Sequence, residues 1–325
     1  MRRRDVLAGG AAMAGTTLAP SVAVAQASDF PNRPITLIVP WPAGGPADIV
    51  LRAMADVAGR ELGQPIICDN KAGASGTLGP ATMAATAKPD GYTLSQIAVT
   101  VHRLPMMQKT TWDPLRDFTY VMHVSGFTLG IAALADGPLK SWADLVAYAK
   151  ANPGKVTFGT PGARTSQHIG MEEVAALAGI QLTHVPFKGS AEASAAVLGG
   201  HVMLQVDSSV WSPHVSSGAM RLLAIWTENR SARWPDAPTL HDLGLGRTFD
   251  SPFGIAGPKG ITPAITAKLH DAFMKALETP SVIEVLTKYD MTPRYMDPER
   301  YAQFVGEYIA QERKTLERLG LLKTD

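Results

Sequence analysis

Ile35-Thr36-Leu37-Ile38-Val39 is followed by Pro40-Trp41-Pro42-Ala43-Gly44-Gly45-Pro46-Ala47-Asp48, and a helical pattern opens at Ile49. The same order returns far downstream. Val156-Thr157-Phe158-Gly159-Thr160 leads into Pro161-Gly162-Ala163-Arg164-Thr165-Ser166, then a helix through His168 and Met171. Each stretch reads as a strand, a Gly/Pro loop and a helix start. Glycine lets a backbone approach a bound group, and the first helical N–H groups lack intrahelical partners. An anion there meets free donors and the positive end of the helix dipole. Two such starts in different halves of a chain predict one acid group gripped from both sides.

An ordinary βα connection is the competing reading for each loop taken singly. A nucleotide site is disfavoured, because neither loop ends in the Lys-Ser/Thr of a P-loop and neither reads Gly-x-Gly-x-x-Gly. Gly73-Ala74-Ser75-Gly76-Thr77-Leu78-Gly79 lacks the first close glycine pair and reads as a third loop feeding a helix.

Further segments repeat the vocabulary of one family. They are Phe30-Pro31-Asn32-Arg33-Pro34-Ile35, the Pro-Ala-Gly-Gly-x-x-Asp loop ending at Asp48, Asp69-Asn70-Lys71-Ala72-Gly73-Ala74-Ser75-Gly76, and Pro89-Asp90-Gly91-Tyr92-Thr93-Leu94. Next come Ala149 to Lys155, Gly159 to His168, His184-Val185-Pro186-Phe187-Lys188-Gly189, Leu198-Gly199-Gly200-His201-Val202 and Pro235-Asp236-Ala237-Pro238-Thr239-Leu240. From about residue 28 to the C-terminus the chain resembles the solute receptors of the tripartite tricarboxylate transporter family, the Bug proteins. The resemblance implies a two-lobed type II periplasmic binding protein fold, a membrane permease as partner, and a small carboxylate as ligand.

Arg2-Arg3-Arg4-Asp5-Val6-Leu7 is a basic start, followed by the small, apolar run from Ala8 to Ala25 and by Ala25-Gln26-Ala27 before Ser28. This is the pattern of an export signal over residues 1–27, cleaved near Ala27, and it places the mature protein in the periplasm. The paired arginines resemble a twin-arginine signal, though a basic start also serves the general export route. A membrane anchor needs about 20 strongly apolar residues, and glycines and threonines dilute this run.

Removing residues 1–27 takes the formal net charge from +1 to −1. A nearly neutral protein offers no broad electrostatic case for nucleic acid or an anionic membrane. The single cysteine, Cys68, cannot form an internal disulfide, and its apolar run predicts a buried strand thiol. The eight histidines are scattered without metal-ligand spacing, so neither metal nor cofactor is expected.

Strands and helices alternate, which favours α/β architecture with mostly parallel sheets flanked by helices. Expected strands lie at 35–40, 66–70, 93–98, 119–124, 129–134, 156–160, 182–186, 202–207, 221–226 and 253–257. Expected helices lie at 47–62, 76–87, 141–151, 165–178, 190–198, 210–217, 263–277, 280–289 and 298–319. A chain of about 300 residues exceeds what one core organises. The family fold, in which the chain crosses twice, places lobe one at 28–126 plus 252–325 and lobe two at 127–251, with the ligand cleft between them.

The expected binding residues of lobe one are Trp41, Ala43, Gly44, Gly45, Pro46, Ala47 and Asp48, with Gly73, Ala74 and Ser75 from the neighbouring loop. Trp41 either walls the pocket or packs on the sheet. Asp48 either serves as a helix N-terminal charge or orients loop donors, since a free carboxylate would repel a ligand acid. Lobe two contributes Thr160, Gly162, Ala163, Arg164, Thr165, Ser166 and His168, with Lys188 and Asp207 at other strand ends, where open α/β sheets bind ligands. The family usually carries glycine where this chain has Arg164. That guanidinium either meets a second carboxylate or stays in solvent. For His168, packing or a loop hydrogen bond outweighs catalysis, and Asp207 has an Asx turn as its competing reading.

The leading expectation is a monomeric receptor that binds a di- or tricarboxylate, an acidic amino acid or an aromatic acid without chemistry and passes it to the permease. An enzyme on the same scaffold is the first alternative. It is weakened by the lack of a Gly-x-Ser-x-Gly elbow or a Ser/His/Asp set. A ligand sensor docking on a signalling partner is the second.

Overall fold

The computed structural model describes residues 29–323, and the expected export signal at 1–27 lies outside them. Strand β1 (Ile35–Val39) is almost wholly buried and sits between β2 (Ile66–Asn70) and β3 (Thr93–Ala98), parallel to both. The loop after β1 feeds α1 (Pro46–Leu62), which opens with proline at N1 and closes at Gly63 in the left-handed conformation (φ 70°). The buried stripe Val50, Leu51, Met54, Val57 and Ala58 lays α1 against the sheet, as helical spacing requires. After β2 come a short 3-10 turn (Ala74–Gly76) and α2 (Leu78–Thr86).

β3 runs directly into α3 (Val99–Met107), a helix that the sequence reading missed. No element is expected at 99–107, because β-branched Val99, Thr100 and Val101 weaken the helical signal and Pro105 sits inside the helix. Proline at 105 cannot donate to the Val101 carbonyl, and the Trp112 indole N–H takes that acceptor instead, at 2.8 Å. Tertiary packing thus replaces the bond that the helix lacks.

β4 (Phe118–Phe127) returns through the first sheet, and the chain passes at once into β5 (Leu129–Leu134) of a second sheet. There it forms α4 (Trp142–Ala151), β6 (Val156–Thr160), α5 (Ser166–Ala178), β7 (Leu182–Pro186), α6 (Ser190–Leu198) and β8 (Leu204–Ser208). The short α7 (Ser212–Ser216) and β9 (Met220–Ile225) follow, and β10 (Ser251–Pro258) re-enters the first sheet. α8 (Pro263–Glu278), α9 (Pro280–Lys288), β11 (Pro293–Met296) and α10 (Pro298–Arg318) complete the chain. The expected caps form: Ser141 accepts from the Asp144 amide ahead of α4, and Asp297 accepts from Arg300 ahead of α10.

Sheet order is β11-β4-β10-β3-β1-β2 in one layer and β7-β6-β8-β5-β9 in the other. Both sheets are mixed rather than mostly parallel. β10 runs antiparallel to β3 and β4, β11 runs antiparallel to β4, and β5 runs antiparallel to β8 and β9. The departures arise mainly where the chain changes sheets, because a strand arriving from the other layer comes in against the local direction. Cys68 is half-buried on the edge strand β2, less enclosed than its apolar run suggested, and burial pushes its thiol up to about 11. Among the described residues no helix is long and apolar enough to cross a membrane, and no group of three or more His, Cys, Asp or Glu could hold a metal ion.

α10 packs on α3 and β4 over an aromatic cluster. His123 meets Tyr301 edge-on at 5.2 Å, and Tyr120 meets Tyr301 at 4.7 Å. Burial pushes His102 down to about 3, helped by His123 and Arg103, and pushes His123 down to about 4. Both imidazoles are therefore neutral in the fold. A folded pKa below the unfolded value of 6.5 means that their contribution is fully present above pH 6.5 and is lost as the pH falls towards 4. At pH 5 each costs about 2 kcal/mol relative to neutral pH. Urea unfolding at pH 7.5 and pH 5 should show this loss, and His102→Asn should flatten the slope by about one proton.

Candidate functional site

Four helix starts, with the strand ends that feed them, surround one cleft. Ala43, Gly45, Pro46 and Ala47 line it from the start of α1, and Ala98, Val99 and Thr100 line it from the start of α3. Thr165, Ser166 and Gln167 come from the start of α5, and Gly189, Ser190, Ala191 and Glu192 from the start of α6. Trp41, Pro42 and Pro161 add apolar wall, while Phe127 and Ser251 lie where the chain crosses between sheets and Ser208 pairs beside them with Leu129. The amides of Ala47, Asp48, Ser166, Gln167, Ser190 and Ala191 find no acceptor among the described residues. They are the orphan donors that a helix start leaves. Among the described residues, no lysine, arginine or histidine lines the cleft.

The first loop is held by Asp48. Its Oδ2 accepts from the Gly44 amide at 2.9 Å, and its Oδ1 accepts from Arg52 Nε at 2.9 Å and Asn70 Nδ2 at 2.8 Å. Asn70 Nδ2 also donates to the Trp41 carbonyl at 3.0 Å. Burial alone would raise the Asp48 carboxyl, but hydrogen bonds from Arg52, Gly44 and Asn70 hold it below the usual carboxylate range. Asp48 therefore shapes the loop from behind, and its charge is spent on Arg52. Gly44 carries the left-handed backbone (φ 85°) and gives its N–H to Asp48, so it does not present that donor to the cleft. Gly45 has ordinary φ (−78°) and lines the wall.

Gly73, Ala74 and Ser75 do not line the cleft. All three have positive φ, and the turn backs Trp41: a Cβ on Gly76 would stand 2.7 Å from the indole. Ser75 also abuts Gly162 of the second loop, whose added Cβ would stand 2.8 Å from Ser75 Oγ.

In the second loop, Thr160 donates to the Gly162 carbonyl at 2.9 Å, and its hydroxyl meets His184 Nε2 at 2.8 Å. Thr165 also donates to Gly162 O at 2.9 Å and caps α5 by accepting from the His168 amide. His168 Nδ1 accepts from the Arg164 amide at 2.9 Å and stacks on His184 at 3.8 Å between ring centres. Burial pushes His184 down to about 4, with His168 adding to the effect. His168 is thus a loop hydrogen-bond partner.

Arg164 has φ 62°, the left-handed region that favours glycine. Its guanidinium bonds Gln108 Oε1 beyond the end of α3 rather than lining the cleft. Gly162, Ala163, Thr160, His168 and Lys188 likewise stand behind or beside the wall. Asp207 is fully buried beneath Ser190 and Ser208, and burial pushes its carboxyl up to about 6 against four hydrogen bonds.

Of the expected residues, the cleft wall brings together Trp41, Ala43, Gly45, Pro46, Ala47, Thr165 and Ser166. The starts of α3 and α6 escaped the sequence reading of the site. β3 enters α3 without a Gly/Pro loop, and Lys188-Gly189 drew notice only as a strand end. Arg103 also escaped notice. It is 2% exposed, and its guanidinium reaches Glu312 Oε1 (2.5 Å), Tyr308 OH (3.1 Å), the Arg164 carbonyl (2.8 Å) and Ser166 Oγ (3.3 Å). It ties α3 and α10 to the second loop.

Gly76→Ala tests the support behind Trp41. The methyl both opposes the left-handed backbone (φ 84°) and drives the indole forward. The backbone strain alone costs about 1 kcal/mol, and affinity for the acid that co-purifies should fall about 10-fold or more. Titration calorimetry paired with urea unfolding separates the two effects.

The family model described as tripartite tricarboxylate transporter family receptor matches residues 50–321. A protein encoded in the gbd 5′ region of Cupriavidus necator is 48% identical, covering 99% of each chain. Protein BugT of Bordetella pertussis is 32% identical over 87% of this chain and 88% of its own. Among solved structures, the periplasmic binding protein BugD superposes with a TM-score of 0.86 at 27% identity, covering 91% of this chain and 100% of its own. MatC of Rhodopseudomonas palustris with bound malate gives 0.81 at 29% identity, covering 88% and 100%. A second R. palustris protein, solved with adipate, gives 0.84 at 28% identity, covering 90% and 99%. With its two mixed sheets meeting at a cleft of helix starts, the chain belongs to the tripartite tricarboxylate transporter receptor family, the Bug solute-binding proteins.

Proposed function

We propose that this receptor takes up a small carboxylate in the periplasm, after loss of residues 1–27, and hands it as a monomer to a tripartite tricarboxylate-type permease. The observation that carries the reading is the convergence of unpartnered first-turn amides from α1, α5 and α6 on a single cleft without a basic side chain. Amides at helix starts suit a carboxylate and need no cation. In this reading the lobes are 28–126 plus 252–325 and 127–251, and the acid sits between them. Malate and adipate, bound by two relatives, are acids of this class.

Each residue then has a part. Ala47, Asp48, Ser166 and Gln167 offer backbone N–H groups to the acid. Trp41 and Phe127 cover its carbon skeleton. Asp48, His168 and Arg103 hold the two loops in shape from behind. No bond is made or broken, because the site holds the ligand by donors and shape. Closing the lobes removes the acid from water and strengthens every hydrogen bond to it.

Mass spectrometry of material that co-purifies should identify an organic acid, and the recovered acid should be unchanged after long incubation with the protein. At 100 times its dissociation constant it should add about 2.7 kcal/mol of apparent stability. The corresponding primary amide should bind far more weakly. Recovery of a chemically altered compound, or equal affinity for acid and amide, would overturn the reading.

A further inference from the structure

One flank of the cleft is built from hydrogen-bond acceptors. Ser190, at the start of α6, and Ser208, at the end of β8, both line the cleft. Ser190 Oγ donates to Asp207 Oδ1 at 3.0 Å, and Ser208 Oγ donates to the same oxygen at 3.3 Å. The Ser208 amide adds a third bond to that oxygen at 2.7 Å. A hydroxyl has one proton to give. With both protons directed at Asp207, the two serines turn lone pairs towards the cleft.

The one charged side chain in the cleft wall among the described residues reinforces this. Glu192 is on the first turn of α6, and its Oε2 accepts from the Lys188 amide at 3.1 Å. Its negative charge offsets the positive end of α6, so the free amides of Ser190 and Ala191 attract an anion less than those of α1 and α5. The serine flank adjoins the crossing between sheets, where Phe127 pairs with Ser251 and Leu129 with Ser208.

We infer that the ligand is an acid with one carboxylate, held at α1 and α5, and a hydrogen-bond donor, a hydroxyl or ammonium group, directed at Ser190, Ser208 and Glu192. The inference rests on the carboxylate-receptor reading above and narrows it. A second carboxylate at this flank would face two serine lone pairs and a glutamate, with no basic side chain among the described residues that line the cleft. A plain alkyl end would leave those acceptors desolvated and unpaired, which is itself costly. Asp207 is a positioning residue here: it aims the serine hydroxyls and does not touch the ligand.

The test is titration calorimetry on the full mature chain with matched straight-chain acids of four to six carbons, each as the monoacid, the terminal hydroxy acid, the terminal amino acid and the diacid. At the best chain length, the hydroxy or amino acid should bind at least about 10-fold more tightly than the diacid or the monoacid. Glu192→Gln should narrow the gap to the diacid by about 10-fold, because it removes the charge and keeps the shape. Asp207→Leu removes the shared acceptor at similar size and frees the serine protons, so the ratio of hydroxy acid to diacid should fall, a change that simple loss of fold would not produce. Thermal unfolding of each variant checks that it remains folded, and Ser190→Ala, which removes one acceptor and should weaken the hydroxy acid more than the diacid, serves as the second variant should Asp207→Leu fail to fold. Tighter binding of the diacids would overturn this inference and leave the carboxylate reading standing. Binding of no acid in the series would overturn both.

Discussion

The guanidinium of Arg103 is the point on which the two sheets depend. It is buried, and a buried arginine must have its charge balanced and its donors filled. Glu312 and Tyr308 of α10 supply partners on one side, while the Arg164 carbonyl and Ser166 hydroxyl supply them on the other. The same Ser166 opens α5 and lines the cleft. The shape of the second binding loop is therefore tied to a charge located in the first sheet's half of the chain. Removing one partner of such a group typically costs about 3–5 kcal/mol, because the rest is left charged and unpaired.

The cleft itself follows a different economy. Among the described residues it recruits no lysine or arginine, and it relies on amides that helix geometry leaves free. Such donors are rigid, since each belongs to a helix packed on a sheet, and they have no side-chain entropy to lose. Asp48 and Arg52, which carry charge beside the first loop, neutralise each other behind it. His168 and His184 do comparable work behind the second, where an imidazole acceptor holds the Arg164 amide and an imidazole meets the Thr160 hydroxyl.

Where sequence and structure part, local propensity gave way to tertiary contacts. Val99 to Met107 carries no clear local signal, with β-branched residues at its start and a proline near its end, yet it is a helix in which the Trp112 indole fills the carbonyl that Pro105 cannot. β11 carries no alternation strong enough to read. It forms because its backbone meets β4, beside the His123 imidazole hydrogen-bonded to the Arg294 carbonyl. Arg164 stood out as a charge in a glycine position. Its φ of 62° gives the physical reason that glycine suits the site, and its reach to Gln108 depends on a helix that was not foreseen.

The sequence by itself determined the strand–loop–helix units, because Gly/Pro loops between β-branched runs and amphipathic stretches leave the backbone few alternatives. It also determined the family, through motifs spaced over nearly the whole chain, and the anion-suited character of the first and second loops. Only the tertiary structure decided which helix starts meet. The starts of α3 and α6 join the cleft because of strand order, and strand order depends on contacts between residues more than a hundred positions apart, such as Phe127 with Ser251. The same holds for Asp207, which in one dimension reads either as a binding residue at a strand end or as an Asx turn, and for the serines above it. Burial and a shared carboxylate oxygen, properties of the packed state alone, make them a flank of acceptors.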